Sequence, residues 1–364
     1  MSVGPADDKG TVLYYEDTGA PEGSQKYTTL ILVHGAMFHG AIFQRMFPHA
    51  AARNLRIVAV NKRDYAGSTP FTPQEQDALR GPVEEQRAVL EAMGLQLAHF
   101  IAWFIRKENI PPVSESSGMR TGGFALVGWS AGNMDTISLL ANADKLSQAT
   151  RELFETYFRT FVVYEMAART AGENVDLRTG VRAPWWDPNV PSEDKVKAFQ
   201  IFVSMDFPPV AELTGDLPGI LARKPLLEEG SSKPTTTAAR MTPEELAAVI
   251  DAETFLRSHA LVSRIDPSIL RQNIRRAILD CRSDLGSGGK GVIWPALQVK
   301  SVWADMSLGE SLMGHWMLSD YWNTEHHLGH DGLRPLKTFK FENGNHLAHW
   351  DDAERFTEFL SKIL

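Results

Sequence analysis

Phe124 to Trp129 is a short apolar run that leads directly into Gly128-Trp129-Ser130-Ala131-Gly132, a G-x-S-x-G pattern at the start of a helical stretch. A serine on so tight a strand-to-helix turn projects its Oγ beyond the edge of a sheet, where it can attack a carbonyl carbon. The flanking glycines suit that role, because the backbone reverses too sharply there for side chains. A glycine-bounded turn with an ordinary surface serine would need neither the strand before it nor the helix after it. Two histidine-bearing turns stand on either side in the chain. Leu30 to Val33 ends in His34-Gly35-Ala36-Met37, and the last strand-like run is followed by Gly344-Asn345-His346.

A carboxylate to orient a histidine is available at two places. Glu165 closes the apolar run Phe161 to Tyr164, and Asp305 stands in Val302-Trp303-Ala304-Asp305-Met306-Ser307. An ionisable residue ending an apolar strand is costly to bury without a partner, and His346 is a suitable partner for Glu165. Other constellations carry less. Glu325-His326-His327 with His330-Asp331 lacks the His-x-x-x-His spacing that sets two ligands on one helix face, and reads as a polar loop, so no metal is expected. Gly286 to Gly291 contains Lys290 but lacks the phosphate-loop pattern and its strand-helix setting.

The elements that must hold these groups follow from the apolar pattern. Strands are expected over Thr11 to Glu16, Tyr27 to Val33, Arg56 to Asn61, Phe124 to Trp129 and Phe158 to Tyr164, then over Leu297 to Ala304 and Leu336 to Phe341. Helical spacing covers Pro82 to Asn109, Asn133 to about Thr156, Ser311 to Thr324 and His349 to Ile363. Strands alternating with helices predict an α/β fold with a mainly parallel sheet. Between Met166 and Ala296 that rhythm stops, and helical patterns near Ser192 to Met205, Thr242 to His259 and Pro267 to Arg282 are separated by proline, glycine and polar runs. The segment reads as a helical insertion, 166–296, in a core formed by 1–165 and 297–364.

Composition narrows the partners. The 364 residues carry 37 Lys+Arg against 45 Asp+Glu, a formal net charge of −8, which disfavours nucleic acid or an anionic membrane as the main partner. No wholly apolar run reaches the ~18 residues of a membrane span. Leu90 to Ile105 comes nearest but carries Glu91, Gln96 and His99 at helical spacing, so no span is expected. A single cysteine, Cys281, and a polar N-terminal stretch lead to a reduced, cytoplasmic setting as the expectation. Homodimerisation is left open.

A strand ending in His-Gly, G-x-S-x-G and a histidine before the last helix together resemble the α/β-hydrolase superfamily over both blocks that flank the insertion. That resemblance implies Ser130 as nucleophile, His346 as general base, and the N–H groups of Ala36 and Ala131 as the oxyanion hole, with Gly35 or Met37 as alternatives to Ala36. His349 is expected to cap or pack, and His34 to be structural. Most members place the acid four residues after a tryptophan equivalent to Trp303. Here that position is Ser307, so the acid is either Glu165, placed as in some haloalkane dehalogenases and fungal zearalenone-type lactone hydrolases, or Asp305. Asn61 to Ser68 resembles the family's Asp-x-Arg-Gly-x-Gly-x-Ser turn, sharing Arg63, Gly67 and Ser68 but not its first acid or first glycine.

In such proteins the insertion is a lid over the nucleophile. Met37, Trp129, Trp185, Trp186, Phe202 and Met205 are accordingly expected to line an apolar or aromatic pocket. The implied activity is hydrolysis of a small-molecule ester or lactone through an acyl-enzyme, with no cofactor. Epoxide hydrolases and haloalkane dehalogenases of this fold use an aspartate where this chain has Ser130. Acyl transfer or cyclisation on the same triad, or ligand binding without catalysis, are the other outcomes the resemblance leaves open.

Overall fold

The computed structural model describes residues 2–116, 118–173, 185, 187–284 and 290–364. Eight strands form one sheet: β1 (Ser2–Pro5), β2 (Val12–Asp17), β3 (Thr28–Val33), β4 (Leu55–Val60), β5 (Phe124–Trp129), β6 (Phe158–Tyr164), β7 (Gln298–Ala304) and β8 (Leu336–Phe341). Their spatial order is β1-β2-β4-β3-β5-β6-β7-β8. The β1/β2 and β2/β4 pairs are antiparallel, and every pair from β4 to β8 is parallel. Strands β3 to β6 are buried along their whole length, which is why they read as continuous apolar runs and not as alternating ones. The edge strand β1 has only one buried residue. Its Ser-Val-Gly-Pro sequence carries no apolar pattern, and it was not expected.

The helix expected over Pro82 to Asn109 is α1 (Val83–Glu108), ending at Asn109 with a left-handed backbone. It is long and apolar enough to cross a membrane, yet 61% of its most apolar window is buried inside the protein. The helix after the elbow, α2 (Gly132–Ala141), is buried at every position. Further along come α3 (Ser192–Val203), α4 (Gly309–His327) and α5 (Ala353–Ile363). The closing helix is broken at Asp352, whose non-helical backbone (φ −135°, ψ +59°) separates α5 from a turn at Ala348–Asp351. The polar stretch after α1 forms a small hairpin, Ser114–Ser116 with Met119–Thr121.

Among the described residues the segment between β6 and β7 adds no strand to the sheet. Its helices are shorter than the periodicity suggested, and two turns, Phe255–His259 and Arg275–Leu279, are π-helical. It also contains a two-stranded hairpin, Arg282–Asp284 with Lys290–Val292. The segment is fastened to the loops at the carboxyl ends of four parallel strands. Asp251 N–H donates to the Met37 carbonyl (2.7 Å) after β3, and Arg257 pairs with Asp64 (3.0 Å) after β4. After β7, Phe207 N–H donates to the Met306 carbonyl (3.0 Å). After β8, Asn345 Nδ2 donates to Asp206 Oδ1 (2.7 Å) and Thr237 Oγ1 (2.8 Å).

Candidate active site

The parallel strands point their carboxyl ends at one rim, where an open α/β sheet binds ligands. Ser130 follows β5 there with φ +52°, a left-handed conformation uncommon for any residue with a side chain. The surroundings hold it in place. Its N–H donates to the Tyr164 carbonyl (3.0 Å), and Asn133 Nδ2 donates to the carbonyls of Ser130 (2.9 Å) and Tyr164 (3.0 Å). A Cβ at Gly132 would lie 2.3 Å from the Val33 carbonyl oxygen, and one at Gly128 would lie 2.4 Å from Thr136 Oγ1. Both glycines of the pattern are therefore needed for helix and strand to approach.

Glu165 follows β6, fully buried and also left-handed at φ +52°. His346 Nδ1 lies 2.7 Å from Glu165 Oε2. Nδ1–H donating to the carboxylate leaves Nε2 with the lone pair. The carboxylate accepts two further bonds, from Ala304 N–H to Oε1 (2.7 Å) and from the Ser307 hydroxyl to Oε2. Ser311 Oγ stands 3.2 Å from His346 Nδ1 and 3.5 Å from the Glu165 carbonyl.

Asp305, the other candidate acid, is buried but turned away. Its Oδ1 accepts from Gly344 N–H (3.3 Å), and it makes no contact with His346. Out of register by two residues from the family's usual place, its carboxylate braces the turn after β8 instead. The usual place itself, Ser307, supplies a hydroxyl to Glu165.

Ala36 and Ala131 both face the same cavity as Ser130, and neither N–H has a partner among the described residues. Met37 is excluded from that role because its N–H donates to the Tyr65 hydroxyl (3.1 Å). Tyr65 thus steadies the loop from beneath. Asp64, where the family turn has its first glycine, adopts φ +75°, and its carboxylate caps Phe71 N–H (3.1 Å) and binds Arg257. His34 is buried, and its Nε2 accepts from Lys62 N–H (3.1 Å). Burial and the nearby Lys62 ammonium hold its pKa well below the ordinary value, so it stays neutral. His349 is likewise held neutral by burial, packed edge-on against Trp129 and next to Phe43, with Nδ1 3.3 Å from the Tyr164 hydroxyl.

The cavity that joins these groups measures about 440 Å³. On the core side it is lined by Ala36, Ser130, Ala131, Met134, Leu308, Ser311 and His346, and on the insertion side by Trp185, Phe199, Phe202, Val203 and a polar group that includes Thr170, His259 and Ser263. Trp185 packs on Phe199 (5.2 Å between ring centroids) and Phe202 (5.0 Å) to make an aromatic wall.

Three expected lining residues do not reach this cavity. Trp129 is buried beneath the elbow, where its Nε1 donates to the His346 carbonyl (2.9 Å) and its ring lies against Phe38 and Phe43. Met37 is fully buried in the apolar layer under the loop that follows β3. Met205 pairs in a bridge with Thr236 and packs on the core, because the turn after α3 carries it past the cavity. Trp186 lies outside the described residues. Thr170, His259 and Ser311 line the cavity without having been singled out for it, whereas Phe199 belongs to the aromatic group of the insertion that the sequence offered for the pocket.

No protein-family profile matches the chain, and no curated protein matches it in sequence. Solved structures do match in fold. An epoxide hydrolase from Vigna radiata superposes with a TM-score of 0.56 at 11% identity, over 100% of this chain and 96% of that one. An esterase from Exiguobacterium antarcticum matches with a TM-score of 0.49 at 15% identity, over 100% of this chain and 99% of that one. With the mostly parallel sheet, the fold is that of the α/β-hydrolases.

Proposed function

We propose that this α/β-hydrolase-fold chain is a serine hydrolase that cleaves a carboxylic ester or lactone of an aromatic small molecule. The observation that carries the reading is the 2.7 Å contact between His346 Nδ1 and Glu165 Oε2, with His346 and the strained Ser130 facing one cavity. Glu165 fixes the tautomer of His346 and stabilises the imidazolium when it forms. His346 Nε2 takes the proton of Ser130 Oγ as that oxygen attacks the ester carbonyl. The N–H groups of Ala36 and Ala131 receive the oxyanion, each donor contributing about 2.7 to 4 kcal/mol in the transition state. His346 then protonates the leaving alcohol, and water activated by the same nitrogen releases the acid from the acyl-enzyme. Epoxide and haloalkane chemistry on this fold needs a carboxylate at the elbow, where this chain has a hydroxyl.

In this reading segment 166–296 is the lid. Its aromatic wall of Trp185, Phe199 and Phe202 selects a flat, apolar substrate body, although the polar residues beside it make the cavity less uniformly apolar than the sequence suggested. Incubation with a fluorophosphonate probe, followed by peptide mapping, tests the reading together with turnover of aryl acetates. The expected result is one adduct on Ser130, abolished in Ser130→Ala and His346→Ala along with turnover. A folded wild-type protein that neither labels nor turns over aryl esters would contradict it.

A further inference from the structure

The insertion side of the cavity contains a polar group that the proposed chemistry does not use. His259 is the last residue of the π-helical turn Phe255–His259, is 7% exposed, and lines the same cavity as Ser130. Neither ring nitrogen makes a hydrogen bond among the described residues. Among the described residues its one ring contact is a stack on Phe255 (5.8 Å, 18°), which continues through Phe199 (4.5 Å) to Trp185. The imidazole therefore ends an aromatic wall.

Two other polar residues of the cavity are already engaged. Gln86 donates to the Gly81 carbonyl (2.9 Å) and accepts from Asp266 N–H (2.8 Å), and the Ser263 hydroxyl turns back to the Ala260 carbonyl (3.2 Å). The hydroxyl of Thr170, 3% exposed, also makes no hydrogen bond among the described residues. Neither side chain has its polar atoms sealed off from solvent, so both open onto the cavity, where a ligand can complete them, and π-helical turns recur at functional sites.

We infer that His259 is a specificity-determining residue that accepts a hydrogen bond from a hydroxyl on the body of an aromatic ester, away from the carbonyl that Ser130 attacks. The inference rests on the hydrolase reading for the ester and on the cavity geometry alone for the hydroxyl. A neutral imidazole has one lone pair and one N–H, so it can take a hydroxyl proton and still donate to water or to a second substrate oxygen. Burial and the Lys62 charge push the His259 pKa down to about 3, which keeps it in that neutral form throughout the physiological range. A site built around a substrate hydroxyl rejects the analogue that lacks it, because the protein group is then left unpaired.

Binding separates this inference from the chemistry. Ser130→Ala protein is titrated calorimetrically with 2-naphthyl acetate and with its 6-hydroxy and 7-hydroxy derivatives. At least one hydroxylated isomer is expected to bind about tenfold or more tightly than the parent. Adding His259→Phe, which keeps the stack on Phe255, is expected to erase that preference, and His259→Gln to retain part of it. Equal binding of all three probes, binding of none, or a preference that survives His259→Phe would overturn the inference. Turnover of 2-naphthyl acetate by the wild type is read separately. Discrimination without turnover contradicts the hydrolase reading and leaves the recognition site standing, whereas turnover without discrimination does the reverse.

Discussion

The ends of β6 and β7 lie side by side at the sheet rim, each closes with a buried carboxylate, and the two carboxylates do different work. Glu165 takes an unfavourable left-handed backbone and turns its side chain onto His346, Ala304 and Ser307. Asp305 keeps an ordinary backbone and spends its carboxylate on Gly344 N–H, in the turn that delivers Asn345 and His346. Proximity to His346 in the fold is thus insufficient to define its partner. The backbone conformation at the strand end decides which way the carboxylate faces, and strain of this kind persists only where neighbouring contacts over-determine it.

Moving the acid is the strongest way to break the comparison. Glu165→Ala should leave only a residual rate, and adding Ser307→Asp, which sets a carboxylate at the family's usual position beside the vacated one, should recover roughly tenfold to a hundredfold in kcat/KM on an aryl acetate. No recovery in a protein of normal thermal midpoint would show that the space by Ser307 does not reach His346. Next in size is Ser307→Ala. It removes one donor to the Glu165 carboxylate and should lower kcat about tenfold with KM little changed, in line with about 1.4 kcal/mol for a hydrogen bond to a charged group. A change confined to KM would contradict a role in orienting the acid.

Asp305→Asn should appear in stability more than in rate, lowering the unfolding free energy by about 1 kcal/mol in denaturant titrations while kcat/KM stays within about threefold. A similar division applies to pH. His315, behind Glu165, accepts from Met166 N–H through Nε2 (3.0 Å) and pairs with Ser301 through Nδ1 (2.6 Å), and burial pushes its pKa down to about 4. Its unfolded value is about 6.5. Between these values the unfolded chain binds a proton that the folded one does not, so stability is full above about pH 6.5 and falls as pH drops toward 4, by roughly 3 kcal/mol for this residue. His315→Asn should flatten that part of the stability curve, and an unchanged slope would remove His315 from the account.

The same contrast explains what the sequence made legible. Strands β3 to β6 were readable because each is a buried run ending in a turn, and Ser130 and Glu165 each sit at such an end, whereas His346 follows the half-exposed β8. Strand β1 was not, because a polar edge strand has no apolar face to reveal it. Met37 and Trp129 were misread because they adjoin Ala36 and Ser130 in sequence, while the backbone sends their side chains beneath the sheet rim. His259 and Thr170 carry no sequence signal at all. They reach the cavity through the packing of helical turns that no strand register fixes.

The central claim, that Ser130 and His346 work with Glu165, is tested most directly by measuring kcat/KM of Glu165→Gln and Asp305→Asn side by side on one aryl ester. Glu165→Gln should lose about 10³ to 10⁴ in kcat, as when a triad acid becomes an amide, and Asp305→Asn should keep near wild-type activity. Full activity in Glu165→Gln with loss in Asp305→Asn would contradict it.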